Sequence, residues 1–393
     1  MTKDVIIVGG GLSGLCLGIF LGKLGLSIVI IDKESISSRK NIQKDTRTTA
    51  IAEGTKDIFS SYGIWNKIRK YAEPIKNIKV FDRNNTNNIK FSNSKINSFL
   101  GYIVENKYLK KIFLKEISLN KNILLAENTS ILDISISDDE ALVYTNQKEY
   151  KGRLLVAADG KNSFVRKILN HNTFSKKYNR SALVVDLLHS KNHNNVAYEF
   201  FYNSGPLAIL PMKKFQNKWF RSSIVWTNDS NYINSIKSIN DSLFFKIIEE
   251  RTKEHIGGVK KIFTKQSFPL SAHINLKFFN KRVVFVADAA HSIHPIAGQG
   301  WNLGMRDVET LSTLIYESMN LGIDIGSNFV TKKFHEKRFF DTFCLYHITD
   351  KLDMIFMNEQ ILIKKFRQLG VNFINSNNKI NNLISNFAMG KRI

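Results

Sequence analysis

The chain has 393 residues, with 57 Lys and Arg against 34 Asp and Glu for a net charge of +23, and is 43% hydrophobic and 23% charged. That balance excludes a disordered chain, a collagen and a multi-span membrane protein, and the length suits two or three domains around a large core. The two cysteines, Cys16 and Cys344, form no CxxC pair, which excludes a disulfide scaffold or a Cys-rich zinc site and points to a reducing compartment.

Residues 5–22 carry no charge and by length alone would suit a membrane-crossing helix or a signal-peptide core. Six of them are glycine, and Gly9-Gly10-Gly11 follows the β-branched run Val5-Ile6-Ile7-Val8, which reads as strand, tight turn and helix. Lys23 then interrupts, a second apolar strand follows at 28–31, and no basic segment with a cleavage site precedes it. The expectation is a cytoplasmic chain without a membrane span. Residues 45–72 read as largely helical, 76–92 as alternating strand, and 101–118 as a helix with Leu109, Ile112, Phe113 and Ile117 at helical spacing. Short strands fill 121–157, β-like runs fill 182–227, and 243–252 is helical. An apolar strand at 283–287 leads through a turn to a long helix from about Trp301, and the residues after Phe339 read as helices with basic and apolar faces. Because strand–helix alternation returns late, an α/β architecture of mixed α+β character is expected. A discontinuous nucleotide domain (1–75, 101–180 and 271–340) holds an inserted β-rich domain (76–100 and 181–270), followed by a helical region at 341–393.

The excess of basic charge suits a polyanionic partner, either nucleic acid or an anionic membrane surface. Compositional drift is the alternative, since the chain is rich in Lys, Asn and Ile and has only 5 prolines. The basic residues are scattered, and no nucleic-acid recognition module is visible, so no nucleic-acid partner is expected.

The chemistry begins at Gly9-x-Gly11-x-x-Gly14, directly after a strand and opening a helix. Gly9 permits the tight turn, Gly11 lets backbone approach a pyrophosphate, and Gly14 lets helix pack on strand. Leu12 and Ser13 lie in the first helical turn, whose free N–H groups favour phosphate. Asp32, 18 residues after Gly14, ends the second strand beside Lys33, where a carboxylate takes ribose hydroxyls. This combination indicates a bound dinucleotide. Cys16, inside the helix, reads as a packing residue. Two further segments follow: residues 155–166, with Asp159-Gly160 after an apolar run, and residues 282–307, where an apolar strand reaches Asp288 and continues as HPIAGQGWNLGMRD at 294–307. Gly298-x-Gly300 stands too far from that strand to be a second dinucleotide turn, and reads as the approach to a helix N-terminus that stabilises negative charge.

These three segments together resemble the flavin-dependent aromatic hydroxylases similar to p-hydroxybenzoate hydroxylase, and 294–307 resembles the signature of the ubiquinone-biosynthesis hydroxylases. Shorter matches run in order along the chain, at residues 47–52, 63–65, 104–106, 205–211, 349–352 and 388–390. The resemblance implies a Rossmann-like FAD-binding domain with an inserted β-sheet substrate domain and C-terminal helices, and FAD rather than NAD at Gly9–Gly14. It implies that Asp32 holds the adenosine ribose, that Arg47 and Asn106 sit beside the phosphates and ribityl chain, and that Asp159 and Gly160 lie near the nucleotide. Asp288 would hold a ribityl hydroxyl. Pro295 would lie against the flavin, and the backbone of Gly298, Gln299, Gly300, Trp301 and Asn302 would face its pyrimidine end, making Pro295, Gly298, Gln299 and Gly300 the flavin-side catalytic candidates. The family usually has glycine where this chain has Ala287, so looser or slightly shifted FAD binding is expected. The basic stretch 33–45 receives no role.

The implied activity is hydroxylation of the ring of a polyprenylated phenol in ubiquinone biosynthesis, with NADPH or NADH as transient reductant and O2 reacting through a flavin hydroperoxide. Phe200, Phe201, Leu207, Ile209, Leu210 and Trp226 are candidates either for pocket lining or for core. No metal site is expected, because His291 and His294 lack further ligands in a metal-binding pattern. The stretch 354–367 suits either an anionic membrane surface on the inner face of the cytoplasmic membrane or packing on the FAD domain. Two rivals remain: a flavin-dependent isoprenoid reductase, and a non-catalytic flavoprotein scaffold in a membrane-side quinone-biosynthesis complex.

Overall fold

The computed structural model describes residues 2–82, 88–92 and 99–390; part of the expected strand region, 83–87, lies outside the described residues. The first sheet has a parallel core, in the order Val283–Phe285, Glu149–Ala157, Lys3–Val8, Ile28–Ile31, Ile123–Ala126. Its central strands are unbroken apolar runs, such as Val5 to Val8 and Ile28 to Ile31, because both faces are buried in the core and these positions are shielded from water. Helices Leu12–Lys23, Asn106–Ser118 and Gln299–Asn320 supply Leu15, Phe113 and Leu311 to that core.

The second sheet runs His291–Ser292, Val259–Asn275, Thr173–His189, Trp219–Asp229, Gly205–Phe215, Val196–Tyr202, Asn77–Asp82, Asn88–Ser92. Its pairs are antiparallel except Val196–Tyr202 with Asn77–Asp82. Strands Thr173–His189 and Val259–Asn275 are 17 residues each, and the expected boundaries at 180 and 271 fall inside them. One face of this sheet packs on helices Ser230–Ser238 and Asp241–Ile256, through Ile233, Phe244 and Ile248.

A third sheet of Thr48–Ala52, Gly101–Glu105 and Glu73–Ile75 corrects two expectations. Residues 48–52 and 101–105 are strands, not helix, because Thr48 pairs with Glu105 and Ala52 with Gly101 in an antiparallel ladder. The helix predicted over 101–118 starts only at Asn106, after the β-forming run Tyr102-Ile103-Val104. Helix Gln299–Asn320 and strand Gly205–Phe215 both touch this small sheet.

Three helices close the chain: Asn328–Met357, Ile361–Ser376 and Asn378–Ala388. Arg367 pins the second of them. Its guanidinium donates to Asp82 at 2.7 Å and to the carbonyls of Ile355, Phe356 and Asn358, and both charged side chains are buried. Among the described residues no helix is long and apolar enough to cross a membrane.

Candidate functional site

The turn after the first strand is set by steric fit. Gly9 has φ +107°, and a Cβ there would lie 2.4 Å from the Ala158 carbonyl oxygen. A Cβ on Gly14 would lie 2.0 Å from the Gly9 oxygen, so helix, turn and neighbouring strand touch backbone to backbone. Gly11 is different: among the described residues no atom lies within 4 Å of where its Cβ would stand, and its backbone is extended. Open space at the N-terminus of a buried 12-residue helix is the cradle a pyrophosphate needs. Leu12 is half-buried against the core, which leaves its backbone N–H as the group it could offer a phosphate; Ser13 approaches Gly304. Asp32 accepts from Gly10 N–H at 2.6 Å and from Glu34 N–H at 2.8 Å, which fixes its carboxylate at the turn and leaves lone pairs for hydroxyls. Lys33 is exposed beside it.

Arg47 and Asn106 meet through Asp45, a residue that the motif reading missed. Asp45 takes both Nε and Nη2 of Arg47 at 2.8 Å and faces Asn106 Nδ2 at 3.4 Å, while Thr49 Oγ1 donates to Asn106 Oδ1 at 2.6 Å. The Arg47 guanidinium beside it holds the Asp45 carboxyl below the usual range, though burial opposes this. An acid two residues before the arginine was the available signal.

Asp159 spends one oxygen on the N–H groups of Phe164 and Val165, at 2.7 and 3.2 Å, and so starts the short helix Phe164–Ile168. Its other oxygen is buried without a partner among the described residues, and desolvation raises the carboxyl. Gly160 (φ +80°) adjoins open space. Arg166 ties this loop to the third segment, donating to the carbonyls of Lys161 at 2.6 Å and Ala289 at 3.1 Å. Asp288 stands on that segment with its surface accessible, yet protein surrounds it. An accessible carboxylate so enclosed lines a cleft. Desolvation pushes it above the usual range, against the attraction of His291, Lys161 and Arg47. Lys161 thus joins the charges facing this cleft.

The loop after Asp288 is knotted to the helix behind it. Buried Asp307 accepts from Ala287 N–H at 2.9 Å, His291 Nε2 at 2.6 Å and Arg338 Nε at 2.7 Å, and His291 and Arg338 keep its carboxyl low despite burial. Pro295 and Gly298 are exposed and Gly300 half-buried, at the start of helix Gln299–Asn320, whose N-cap Gly298 is left-handed at φ +61°. Trp301 and Asn302 turn their side chains away from this cleft. Trp301 packs beside Phe59, with centroids 5.9 Å apart; Asn302 bonds Ala52 N–H, Thr55, and the carbonyls of Ala50 and Gly298. Only their backbone can serve a ligand. Gln299 is also buried. His291 and His294 belong to no metal-holding group among the described residues.

Ala287 lies in the left-handed region at φ +51°, and its buried methyl packs on Gly304: a Cβ on that glycine would lie 2.6 Å from it. The alanine carries a backbone cost at this turn, since an L-residue at this φ is disfavoured by roughly 1–2 kcal/mol.

The lining candidates divide by strand alternation. Phe200, Leu207, Ile209 and Trp226 point to the rear face, in the cluster with Phe244 and Ile248. Phe201 and Leu210 face the flavin side, near Ile296 and Met389 respectively. The open glycine cradle, the unpartnered oxygen of Asp159 and the enclosed carboxylate of Asp288 fit a long polyhydroxylated diphosphate such as FAD.

A family model described as "FAD binding domain" matches residues 2–320. The ubiquinone hydroxylase UbiL of Rhodospirillum rubrum is 30% identical over 390 residues, covering 99% of this chain and 90% of that one. The 3-demethoxyubiquinol 3-hydroxylase of Escherichia coli is 26% identical over 372 residues, covering 94% and 93%. The crystal structure of p-nitrophenol 4-monooxygenase from Pseudomonas putida has the same fold, with a TM-score of 0.81 at 16% identity over 100% and 99% of the chains.

Two substitutions separate cradle from fold. Gly11→Val should leave the apo protein's melting temperature within about 2 °C, because the space is open, yet weaken FAD binding at least about tenfold in a flavin-fluorescence titration. Ala287→Gly should raise stability by about 1 kcal/mol in urea denaturation by relieving the left-handed alanine.

Proposed function

The chain belongs to the FAD binding domain family and is an FAD-dependent monooxygenase, and we propose that it hydroxylates the ring of a polyprenylated phenol on the route to ubiquinone. The observation that carries the reading is a flavin cradle whose pyrimidine-end helix, Gln299–Asn320, begins opposite an apolar sheet face bearing Phe201 and Leu210. Bound FAD, reduced by NADPH or NADH, supplies the oxygen chemistry. The protein's part is placement. Gly9, Gly11 and Gly14 shape the phosphate turn, Asp32 and Asp288 offer carboxylates to hydroxyls, and the helix start at Gly298 favours negative charge at the ring's pyrimidine end. Ile296, Phe201 and Phe356 form an apolar wall that excludes water beside the loop carrying Pro295.

The FAD-loaded protein should form hydroxylated product from a short-chain prenylated phenol, with one O2 and one NAD(P)H consumed per turnover. Flavin binding without product, with several such phenols, would favour the scaffold reading; reduction of the isoprenoid double bonds would favour the reductase.

We also infer a peripheral contact with an anionic lipid surface. Leu362, Phe366, Leu369 and Phe373, spaced i, i+4, i+7 and i+11 on helix Ile361–Ser376, are 57–73% exposed and form one outward stripe. Lys364 and Lys365 are exposed alongside, on a chain of net charge +23, whereas Arg367 is spent on Asp82 and holds the helix in place. Flotation with vesicles containing phosphatidylglycerol should carry the wild type upward, and Leu362→Glu with Phe366→Glu should abolish this while leaving FAD content unchanged.

A further inference from the structure

We propose that Glu199 is the general base that takes the proton from the substrate's ring hydroxyl and later returns it, an inference that rests on the phenol reading above. Strand Val196–Tyr202 alternates strictly. Tyr198, Phe200 and Tyr202 pack to the rear with the helices, while Ala197, Glu199 and Phe201 face the flavin side. Along that face, Ala197 clusters with Met389 and Ala50, and Phe201 clusters with Ile296 and stacks on Phe356 at 4.0 Å. Glu199 stands between these two points, about 7 Å along the strand from each. A Cβ on Gly298, the helix start assigned to the flavin's pyrimidine end, would lie 3.1 Å from Ala50. Glu199 is therefore on the stretch of sheet beneath the loop that carries Pro295 and Gly298.

Its surroundings leave it alone. Across the sheet its neighbours are Ala208 and Val80, one small and both apolar. Among the described residues no hydrogen bond or ion pair reaches its carboxylate. The other charges on this side are matched. Asp186 and Glu105 hold Arg221, Asp82 holds Arg367, Asp353 holds Arg180, and Asp350 holds Lys176 and Tyr178. His294, beside Asp353, is held neutral by burial. Glu199 is half-buried on a face whose neighbouring side chains are apolar. An unpaired carboxyl in an apolar enclosure is costly to the fold, and a ligand hydroxyl would complete it.

The chemistry suits the position. Desolvation pushes the Glu199 carboxyl up to about 8. A phenol ionises near 10, so an ordinary glutamate near 4.3 is a poorly matched base and one near 8 a well matched one. The ring O–H breaks, the proton moves to a carboxylate oxygen of Glu199, and the electron pair stays on the ring oxygen, which activates the carbon to be hydroxylated. As the product regains its aromatic ring, the C–H bond at the hydroxylated carbon breaks and its proton leaves to water, while the proton held by Glu199 returns to the ring oxygen and the carboxylate is restored. The basic form is needed, so activity rises with pH through the range near 8.

The test uses the FAD-loaded full chain and short-chain prenylated phenols, one of ordinary acidity and one fluorinated so that it is already ionised at neutral pH. Glu199→Gln should lower kcat for the ordinary phenol by about 100-fold or more with little change in KM, and should erase the rise near pH 8. The fluorinated phenol should restore most of the variant's rate, which a purely structural role for Glu199 would not do. The wild type alone gives a second check: its alkaline rise should vanish with the fluorinated phenol. Retained activity in Glu199→Gln, no rescue by the fluorinated phenol, or an unchanged pH rise in the wild type with that phenol would overturn the assignment. A wild type that binds FAD but hydroxylates neither phenol would instead overturn the phenol reading, and this inference with it.

Discussion

Backbone-to-backbone contact at one turn is the constraint on which this architecture depends. The first helix can start where it does only because Gly9 and Gly14 carry no side chain where Ala158 and the Gly9 carbonyl press in, at 2.4 and 2.0 Å from the missing Cβ atoms. That contact brings the helix N-terminus up to the ends of strands Lys3–Val8 and Glu149–Ala157, and so places Asp159 beside the same turn. Arg166 then links the Asp159 loop to Ala289, and Asp307 links Ala287 and His291 to the long helix. Three segments distant in sequence are thus drawn around one cleft by glycine sterics and by a few buried hydrogen-bonded charges.

Elsewhere, charge pairing does the joining. Arg221 connects the second sheet to Glu105 of the small sheet, and Arg180 and Lys176 connect it to the long C-terminal helix through Asp353 and Asp350. Arg367 connects the next helix to Asp82. Buried pairs of this kind are weak evidence for net stability but strong constraints on geometry, since removing one partner strands the other. They keep the sheet face opposite the flavin cradle fixed and nearly neutral. Against that matched background, Glu199 is conspicuous as an acid without a counter-charge among the described residues.

Much of this was legible in the residues themselves. Val5-Ile6-Ile7-Val8, the spaced glycines and Asp32 announce a βαβ unit because tight turns and phosphate approach admit few residue types. The long signature at 294–307 marks a helix start at a functional loop. The helix of Leu109, Phe113 and Ile117 was correct in type but five residues too long at its start, since the run Tyr102-Ile103-Val104 is drawn into a ladder with Thr48–Ala52 that local periodicity cannot reveal. The partner of Arg47 was missed for a similar reason. A charged residue two positions away has no fixed orientation until the strand and helix around it are placed.

Local chemistry in the chain therefore determined what depends on neighbours in sequence: the phosphate turn, the glycine positions with positive φ, the apolar runs of a doubly covered sheet, and the class of cofactor. The tertiary structure decided which way side chains face. Strand alternation makes Phe200 and Phe201 opposites, but only the helices packed behind Phe200 and the loop above Phe201 settle which one meets the cleft. The same holds for Trp301 and Asn302, consumed by the core, for Ala287, whose methyl packs against Gly304, and for Arg367, which is drawn inward from its basic neighbours to bind Asp82. Partnering is a long-range property, and burial, which sets the energy of every charge in this site, exists only once distant segments have met.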